Sequence, residues 1–280
     1  MTETPKYLSP SSAATYESCP AKWKYKYIEN RPDPSGKPAL VGSFVHLVLE
    51  ELCKLPAQNR TLDQAKSIAT SIWPVFATEV DYTALELSQD DVRAFKWQAW
   101  IATQGLWKLE DPREVEVVST EQKIVTKLGD VPFKGIVDRL ERINNELVVS
   151  DYKSGRLPGV RWRADKITQV MLYAAAVKAS QGEAPGAARL LYLGQRILEV
   201  KVTSQRIEEA TDQISQTWQN VTTSCSTDSF ETKPQVLCGW CSFIDVCEDG
   251  QAEVKKRIKK KTLSAEAPAR QVLEIKSSAA

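Results

Sequence analysis

The sequence predicts an α/β sandwich with a helical insert, and three observations support this class. Helical patterns fill the first part of the chain, up to about Lys108. Strand-like stretches follow, from near Val115 to near Lys153. A further helix and a second pair of strands then precede a last helix. This order favours one sheet with helices packed against it.

The helical part opens at Ser11–Glu29, directly behind the cap-rich sequence Ser9-Pro10-Ser11-Ser12. Apolar residues at helical spacing predict three further helices, at Leu40–Leu55, Leu62–Val80 and Leu87–Lys108.

The strands include a predicted hairpin. Val131–Ile143 and Glu146–Lys153 are typical of strands, and Asn144-Asn145 between them is turn-like. The later predicted elements are a helix, two strands and a helix, at Asp165–Ser180, Ala187–Gly194, Ile197–Val202 and Thr203–Thr222.

Composition is that of an ordinary globular protein. The 280 residues are 42% hydrophobic and 26% charged, enough for one large core or two modest ones. The net charge of +1 argues neither for nor against nucleic acid. The chain lacks an apolar run of membrane-spanning length and a signal-peptide pattern, so we expect a cytoplasmic protein with reduced cysteines and no membrane partner.

Two carboxylates and one ammonium are predicted to converge on the hairpin. Asp151 and Lys153 project from the same face because side chains alternate along a strand, and the hairpin brings Asp138 close to them. Oxygen ligands of this kind hold a divalent metal that activates water against a phosphodiester. The alternative is a solvated strand face, since an Asp-x-Lys pair is common by chance.

The cysteines are unevenly spaced. Cys238, Cys241 and Cys247 lie within ten residues, and Cys19 is the natural fourth ligand. Four thiolates can hold zinc or an iron–sulfur cluster, and three local ligands with one distant ligand suit the cluster somewhat better. The two remaining cysteines are interpreted as a small buried side chain and a loop thiol, Cys53 and Cys225.

Three other residues are weaker signals alone. His46 is the only histidine and, on a mostly apolar helix, is interpreted first as a hydrogen-bonded core residue. Gln169 and Tyr173 lie four residues apart and therefore share one helix face.

Together these motifs resemble one family. Their order and spacing are similar to those of the RecB-like branch of the PD-(D/E)XK nucleases. The arrangement of the four cysteines is similar to that of the iron–sulfur-bearing members, such as the AddB nuclease domain and the CRISPR-associated RecB-like nucleases. The resemblance covers roughly residues 8–248 and is greatest to small stand-alone exonucleases. Its motifs are Gly42-x3-His46, Gly135-x2-Asp138, Asp151-Tyr152-Lys153, Gln169-x3-Tyr173 and Cys19…Cys238-x2-Cys241-x5-Cys247.

The resemblance implies a fold. A PD-(D/E)XK core, a central mixed β-sheet flanked by helices, would occupy about residues 115–202, with an N-terminal helical insert at about 55–114. An iron–sulfur staple, meaning a cluster that links the two ends of the chain, would complete a single domain over residues 1–250.

The resemblance also implies an activity, that of a metal-dependent DNA exonuclease in repair or recombination. His46, Asp138 and Asp151 would bind Mg²⁺ or Mn²⁺ together with the backbone carbonyl of Tyr152. Lys153 would position or help to deprotonate the attacking water. The substrate would be DNA, single-stranded or with duplex ends, and a helicase or recombination protein could be a partner.

The remaining implied roles concern helpers of this centre. Gln169 and Tyr173 would orient Lys153 or contact the DNA strand. Glu121 is a candidate auxiliary acid, although an exposed strand glutamate is the favoured interpretation. The four cysteines Cys19, Cys238, Cys241 and Cys247 would hold a [4Fe–4S] cluster. Two alternatives stay open, a catalytically silent nucleic-acid-binding module and a zinc-linked interaction protein.

Two basic segments are candidates for DNA contact. The loop after the catalytic strand is either an ordinary loop or a DNA-binding element in which arginines contact phosphates and a tryptophan stacks on a base; its residues are Arg156, Arg161, Trp162 and Arg163. The run Lys255–Lys261 is either a solvated face or a phosphate-binding arm. Residues 251–280 as a whole are expected to form a basic, flexible tail.

Overall fold

The computed structural model describes residues 2–160 and 163–278. The chain divides into two compact units, one formed by Ser35–Ser215 and one formed by Met1–Pro34 together with Gln216–Ala280. We call the first the sheet unit and the second the cysteine unit. That residues 1–250 act as a single domain stays a prediction.

The sheet unit contains five strands in the order β1-β2-β3-β4-β5. β3 and β4 are parallel and the other neighbours are antiparallel. Helix α7 (Ala164–Gln181) makes the crossover that a parallel pair requires and packs on the sheet. The predicted mixed sheet flanked by helices is thus confirmed, with strands at Glu116–Leu128, Val131–Ile143, Glu146–Lys153, Ala187–Tyr192 and Arg196–Lys201.

The hairpin between β2 and β3 is a direct product of local sequence. Asn144 and Asn145 both adopt positive φ, at 51° and 68°. Two successive left-handed residues match the right-handed twist of the flanking strands, and asparagine tolerates this conformation well. The predicted bounds of both strands are confirmed.

The helices before the sheet form an apolar core. Thr61 and Ser88 begin two of these helices by accepting hydrogen bonds from the backbone N–H three residues on. In the centre, Phe44 packs edge to face against Phe76 and Phe95, whose own rings are tilted against each other. The helices are α3 Lys37–Lys54, α4 Leu62–Phe76, α5 Val80–Thr83 and α6 Gln89–Gln104.

Helix α8 (Ser204–Thr227) begins in the sheet unit and ends in the cysteine unit. In the cysteine unit, the predicted helix Ser11–Glu29 is interrupted at Cys19. Cys19 is extended, with φ of −165°, because the residue before a proline disfavours helical backbone. The segment is therefore divided into α1 Pro10–Ser18, α2 Pro20–Trp23 and a π-helical turn at Lys24–Ile28.

The end of the chain differs from the expected flexible tail. It contains α9 (Glu248–Lys259) and α10 (Ala269–Ser278). Val254, Leu263 and Leu273 are buried in a small apolar cluster, and this burial favours order over a solvated tail. No helix in the described part of the chain is long and apolar enough to cross a membrane.

Candidate active site

The candidate site lies where β2 and β3 separate. Their pairing ends at Arg139 and Ser150, so the next residues, Asp138 and Asp151, stand at the fork between the strands. β3 continues beside β4 alone. The backbone N–H of Tyr152 donates instead to Asp138 Oδ2, at 2.8 Å.

His46 on α3 reaches the same fork. Its Nε2 lies 2.9 Å from the carbonyl oxygen of Tyr152, and its Nδ1 lies 3.4 Å from Asp138 Oδ2. A carbonyl only accepts, so Nε2 is the protonated nitrogen in this contact. The side chain is 29% exposed and lines the cleft, so the interpretation as a core histidine is wrong.

Glu121 belongs to the site, contrary to its interpretation as an exposed strand glutamate. Its neighbours on β1 pair with Arg139 and Val137, which sets it opposite Asp138. Glu121 is half-buried and has a positive φ of 45°. Backbone strain of this kind is concentrated at functional sites. Burial raises the pKa of its carboxyl.

These side chains form a compact set of metal ligands. Among the described residues, one group of three ligating side chains has its ligand atoms within 4.8 Å of one another, and it consists of His46, Glu121 and Asp138. Imidazole with carboxylates is a donor set that fits Mn²⁺, and carboxylates alone fit Mg²⁺.

Asp151 and Lys153 do share a face of β3, as predicted. Lys153 Nζ lies 2.5 Å from Asp151 Oδ2 and 3.4 Å from Gln169 Oε1. Gln169 in turn donates to the hydroxyl of Tyr173, at 3.1 Å. Asp151 Oδ2 is buried, and its contact with the ammonium lacks hydrogen-bond geometry. A carboxylate offers about four lone-pair sites, so the ion pair with Lys153 leaves room for a metal contact as well.

Two glycines of the motifs are required by close packing. A Cβ on Gly42 would lie 3.0 Å from the hydroxyl of Ser154. A Cβ on Gly135 would lie 2.9 Å from the ring of Phe133 and 3.1 Å from that of Tyr173. In each of the motifs Gly42-x3-His46 and Gly135-x2-Asp138, a candidate metal ligand follows a glycine. A side chain at either glycine would require the neighbouring atoms to move.

Burial, and after it the charge of Asp151, raises the pKa of Asp138 to about 7, although His46 and the hydrogen bond from the N–H of Tyr152 oppose the shift. Two carboxylates in one buried fork repel each other when both are ionised. A divalent cation at the fork would remove that repulsion.

We expect the metal-free protein to lose stability as the pH rises from about 4 to about 7. An unfolded aspartate releases its proton near pH 4, whereas folded Asp138 keeps its proton until about pH 7. The folded state binds more protons in this interval, so its stability falls, by a few kcal/mol at most. Urea unfolding in EDTA should show this fall for wild type relative to Asp138→Asn. If the difference in unfolding free energy between the two proteins did not change with pH, the raised pKa of Asp138 would be contradicted.

An open cleft of about 860 Å³ surrounds the site. Arg156, one of the predicted DNA-binding residues, is exposed and lines it. Arg163 stands at the start of α7 and donates to the carbonyl of Pro158. Arg161 and Trp162 lie outside the described residues.

The cysteine unit brings the four predicted ligands around one cavity of about 80 Å³, lined by Cys19, Cys238, Cys241 and Cys247. The backbone N–H of Gln235 donates to the sulfur of Cys238 at 3.3 Å. The backbone N–H of Gly250 donates to the sulfur of Cys247, also at 3.3 Å. Such bonds stabilise thiolate ligands. Burial raises the pKa of the Cys241 and Cys247 thiols, an effect that a bound metal would reverse.

The isolated cysteines are both buried. Cys53 on α3 fits its interpretation as a small buried side chain. Cys225 is not a loop thiol, because it lies on α8 and is fully buried.

Known proteins with a similar sequence or structure indicate the family of the chain. Among solved structures, the chain is similar to a protein from Eubacterium rectale named "Putative exonuclease", with 13% identity, a TM-score of 0.47 and 88% coverage of each chain. It is also similar to the protein SSO0001, with 15% identity and a TM-score of 0.33, over 75% of this chain and 94% of that one. The comparison with curated proteins finds no match. The profile of the PD-(D/E)XK nuclease superfamily matches residues 7–248. Most of the chain is covered by this match, and the chain therefore belongs to the PD-(D/E)XK nuclease superfamily.

Proposed function

We propose that this chain is a metal-dependent deoxyribonuclease of the RecB-like branch that removes nucleotides from DNA ends. The observation that carries the proposal is the convergence of His46, Glu121 and Asp138 beside the Asp151–Lys153 pair. Metal-assisted phosphodiester hydrolysis uses side chains that bind a divalent cation. A neighbouring ammonium can stabilise the charge that develops on the phosphate.

The ligands would be His46, Asp138 and Asp151, with the carbonyl of Tyr152 and with Glu121 as an additional acid. A bound Mg²⁺ or Mn²⁺ supplies Lewis acidity toward the phosphate and lowers the pKa of a bound water. The imidazole favours Mn²⁺.

Lys153 supplies positive charge beside Asp151, in a position to orient the attacking water and to stabilise negative charge that develops on the phosphate. Gln169 restricts the ammonium on its other side, and Tyr173 restricts the amide of Gln169. This chain of contacts holds the lysine before substrate binds, which lowers the cost of positioning it during the reaction.

DNA is proposed to enter the cleft along the loop after β3, with Arg156 and Arg163 near phosphates and with Arg161 and Trp162 as further contacts. The loop is tied to the sheet unit by Gln195, which accepts from the N–H of Leu157 and donates to the carbonyl of Gly155. Substrates with single-stranded or duplex ends, a role in repair or recombination, a cytoplasmic location and a helicase partner remain part of the proposal.

We further propose that the four cysteines hold a [4Fe–4S] cluster. The shared cavity and the N–H···S bonds support metal binding. The thiolates of a cubane cluster bind four different iron atoms and stand farther apart than those around one zinc ion. The preference for a cluster over zinc rests on the sequence, in which three ligands are local and the fourth is distant. The family match includes residues of both units, which supports one nuclease domain.

The proposal is tested with protein purified without oxygen and with linear and circular single-stranded DNA. Linear end-labelled DNA should be degraded in Mn²⁺ or Mg²⁺ and left intact in EDTA, while circular DNA should resist. Binding of DNA without hydrolysis in any divalent cation would support the catalytically silent alternative instead.

A further inference from the structure

Four charged side chains are buried on the face of the sheet opposite Asp138 and Asp151. Arg139 follows Asp138 on β2 and therefore points to the other face. It is 0% exposed, as is Glu141, and the other two members of this buried network are Arg189 and Glu110, whose side chains are also largely buried.

The contacts within the buried network are close. Arg139 Nη2 lies 2.6 Å from Glu110 Oε1 and 2.8 Å from Glu141 Oε2. Arg189 Nη1 donates to Glu141 Oε1 at 3.0 Å. Buried ion pairs rarely add net stability, because desolvating the charges costs about as much as their attraction returns. Stability alone is therefore a weak reason for this arrangement.

One directed bond connects the buried network with the candidate metal site. The contacts of Arg139 Nη2 with the carboxylates lack hydrogen-bond alignment. Among the described contacts, the hydrogen bond of its guanidinium goes from Nη1 to the hydroxyl of Tyr152, at 2.9 Å. The guanidinium carbon also lies 5.3 Å from the centre of the Tyr152 ring.

Tyr152 is the residue whose backbone contacts two of the ligands. Its N–H donates to Asp138 and its carbonyl accepts from His46. Pairing with β2 has already ended at Ser150, so no β2 ladder holds this peptide against Asp138. β4 pairs with this part of β3 on the other side, and the buried side chain of Tyr152, fixed by Arg139, anchors the peptide as well.

We propose that Arg139 is a positioning residue for the metal site and acts through the hydroxyl of Tyr152. The buried carboxylates hold the guanidinium, the guanidinium holds the tyrosine side chain, and the tyrosine backbone sets the separation of His46 and Asp138. The inference rests on the proposed metal-dependent function.

The test compares Tyr152→Phe with Tyr82→Phe. Tyr82 is a matched control because its hydroxyl is also buried in the sheet unit but has no hydrogen-bond partner in the described structure. Mn²⁺ binding to metal-free protein is measured by the electron paramagnetic resonance of free Mn²⁺, and urea unfolding reports stability. We expect the Kd for Mn²⁺ to rise about tenfold or more in Tyr152→Phe and to stay unchanged in Tyr82→Phe.

A second variant, Arg139→Lys, keeps a cation near Glu141 but loses the planar fork that reaches Tyr152. The Kd for Mn²⁺ should rise in Arg139→Lys, as it does in Tyr152→Phe. Wild-type affinity in folded Tyr152→Phe, where wild type binds Mn²⁺, would overturn the inference and leave the proposed function standing. A wild-type protein that binds no Mn²⁺ would overturn both.

Discussion

Replacing Lys153 by Ala should slow metal-dependent DNA hydrolysis about a hundredfold or more and leave the protein folded. The ammonium lies beside Asp151 and is held by Gln169, so it is positioned before the reaction begins. Loss of a preorganised positive group near the reacting phosphate costs on the order of 3 kcal/mol in the transition state. Single-turnover rates at saturating Mn²⁺ measure this effect separately from DNA binding.

The matched control for this variant is Lys178→Ala. Lys178 is an exposed lysine on α7, outside the cleft, and its loss removes the same charge from the sheet unit. Its rate should equal that of wild type. A Lys153→Ala protein that cleaves at the wild-type rate, free of contaminating nuclease, would remove the lysine from the catalytic centre.

The second large effect concerns Cys19→Ser. Protein purified without oxygen should be brown, with absorption near about 400 nm, and this variant should lose both colour and iron. Loss should also lower the unfolding temperature strongly, because the free energy of metal binding is here free energy of folding. Cys241→Ser should behave in the same way, since both cysteines line one cavity.

Cys53→Ser and Cys225→Ser are the controls for the cluster. Both side chains are buried, so serine should cost some stability, about 1–3 kcal/mol, because a hydroxyl is costlier than a thiol to remove from water. Their iron content should nevertheless equal that of wild type. Colourless wild-type protein with one zinc ion per chain would disprove the cluster. Full iron content in Cys19→Ser would disprove the link from Cys19 to the cysteine triplet.

The parts of the fold that local chemistry decides could be predicted from the sequence. The hairpin follows from Asn144-Asn145, and the pairing of Asp151 with Lys153 follows from strand alternation. The shared face of Gln169 and Tyr173 follows from helical periodicity and appears in their hydrogen bond.

Other parts depended on contacts that the sequence does not display. The sequence does not place Glu121 in the site, because its position opposite Asp138 depends on strand register after an irregularity between Val117 and Ser119. The order of the chain end depends on burial of Leu263 and Leu273 against Ile244 and Val254, which belong to other segments of the same C-terminal stretch. The apolar helix around His46 favours a core residue, and the Gly42-x3-His46 motif is the sequence signal that indicates the cleft. The break at Cys19, by contrast, was signalled by Pro20.

The central claim is that the fork between β2 and β3 is a phosphodiester-hydrolysing metal centre. The most direct measurement is the release of nucleotides from end-labelled DNA by wild type and by Asp151→Asn, at saturating Mn²⁺ and without oxygen. The substitution keeps the shape of the side chain and removes one ligand charge. We predict cleavage by wild type and none above background by Asp151→Asn. Equal rates for the two proteins would contradict the claim.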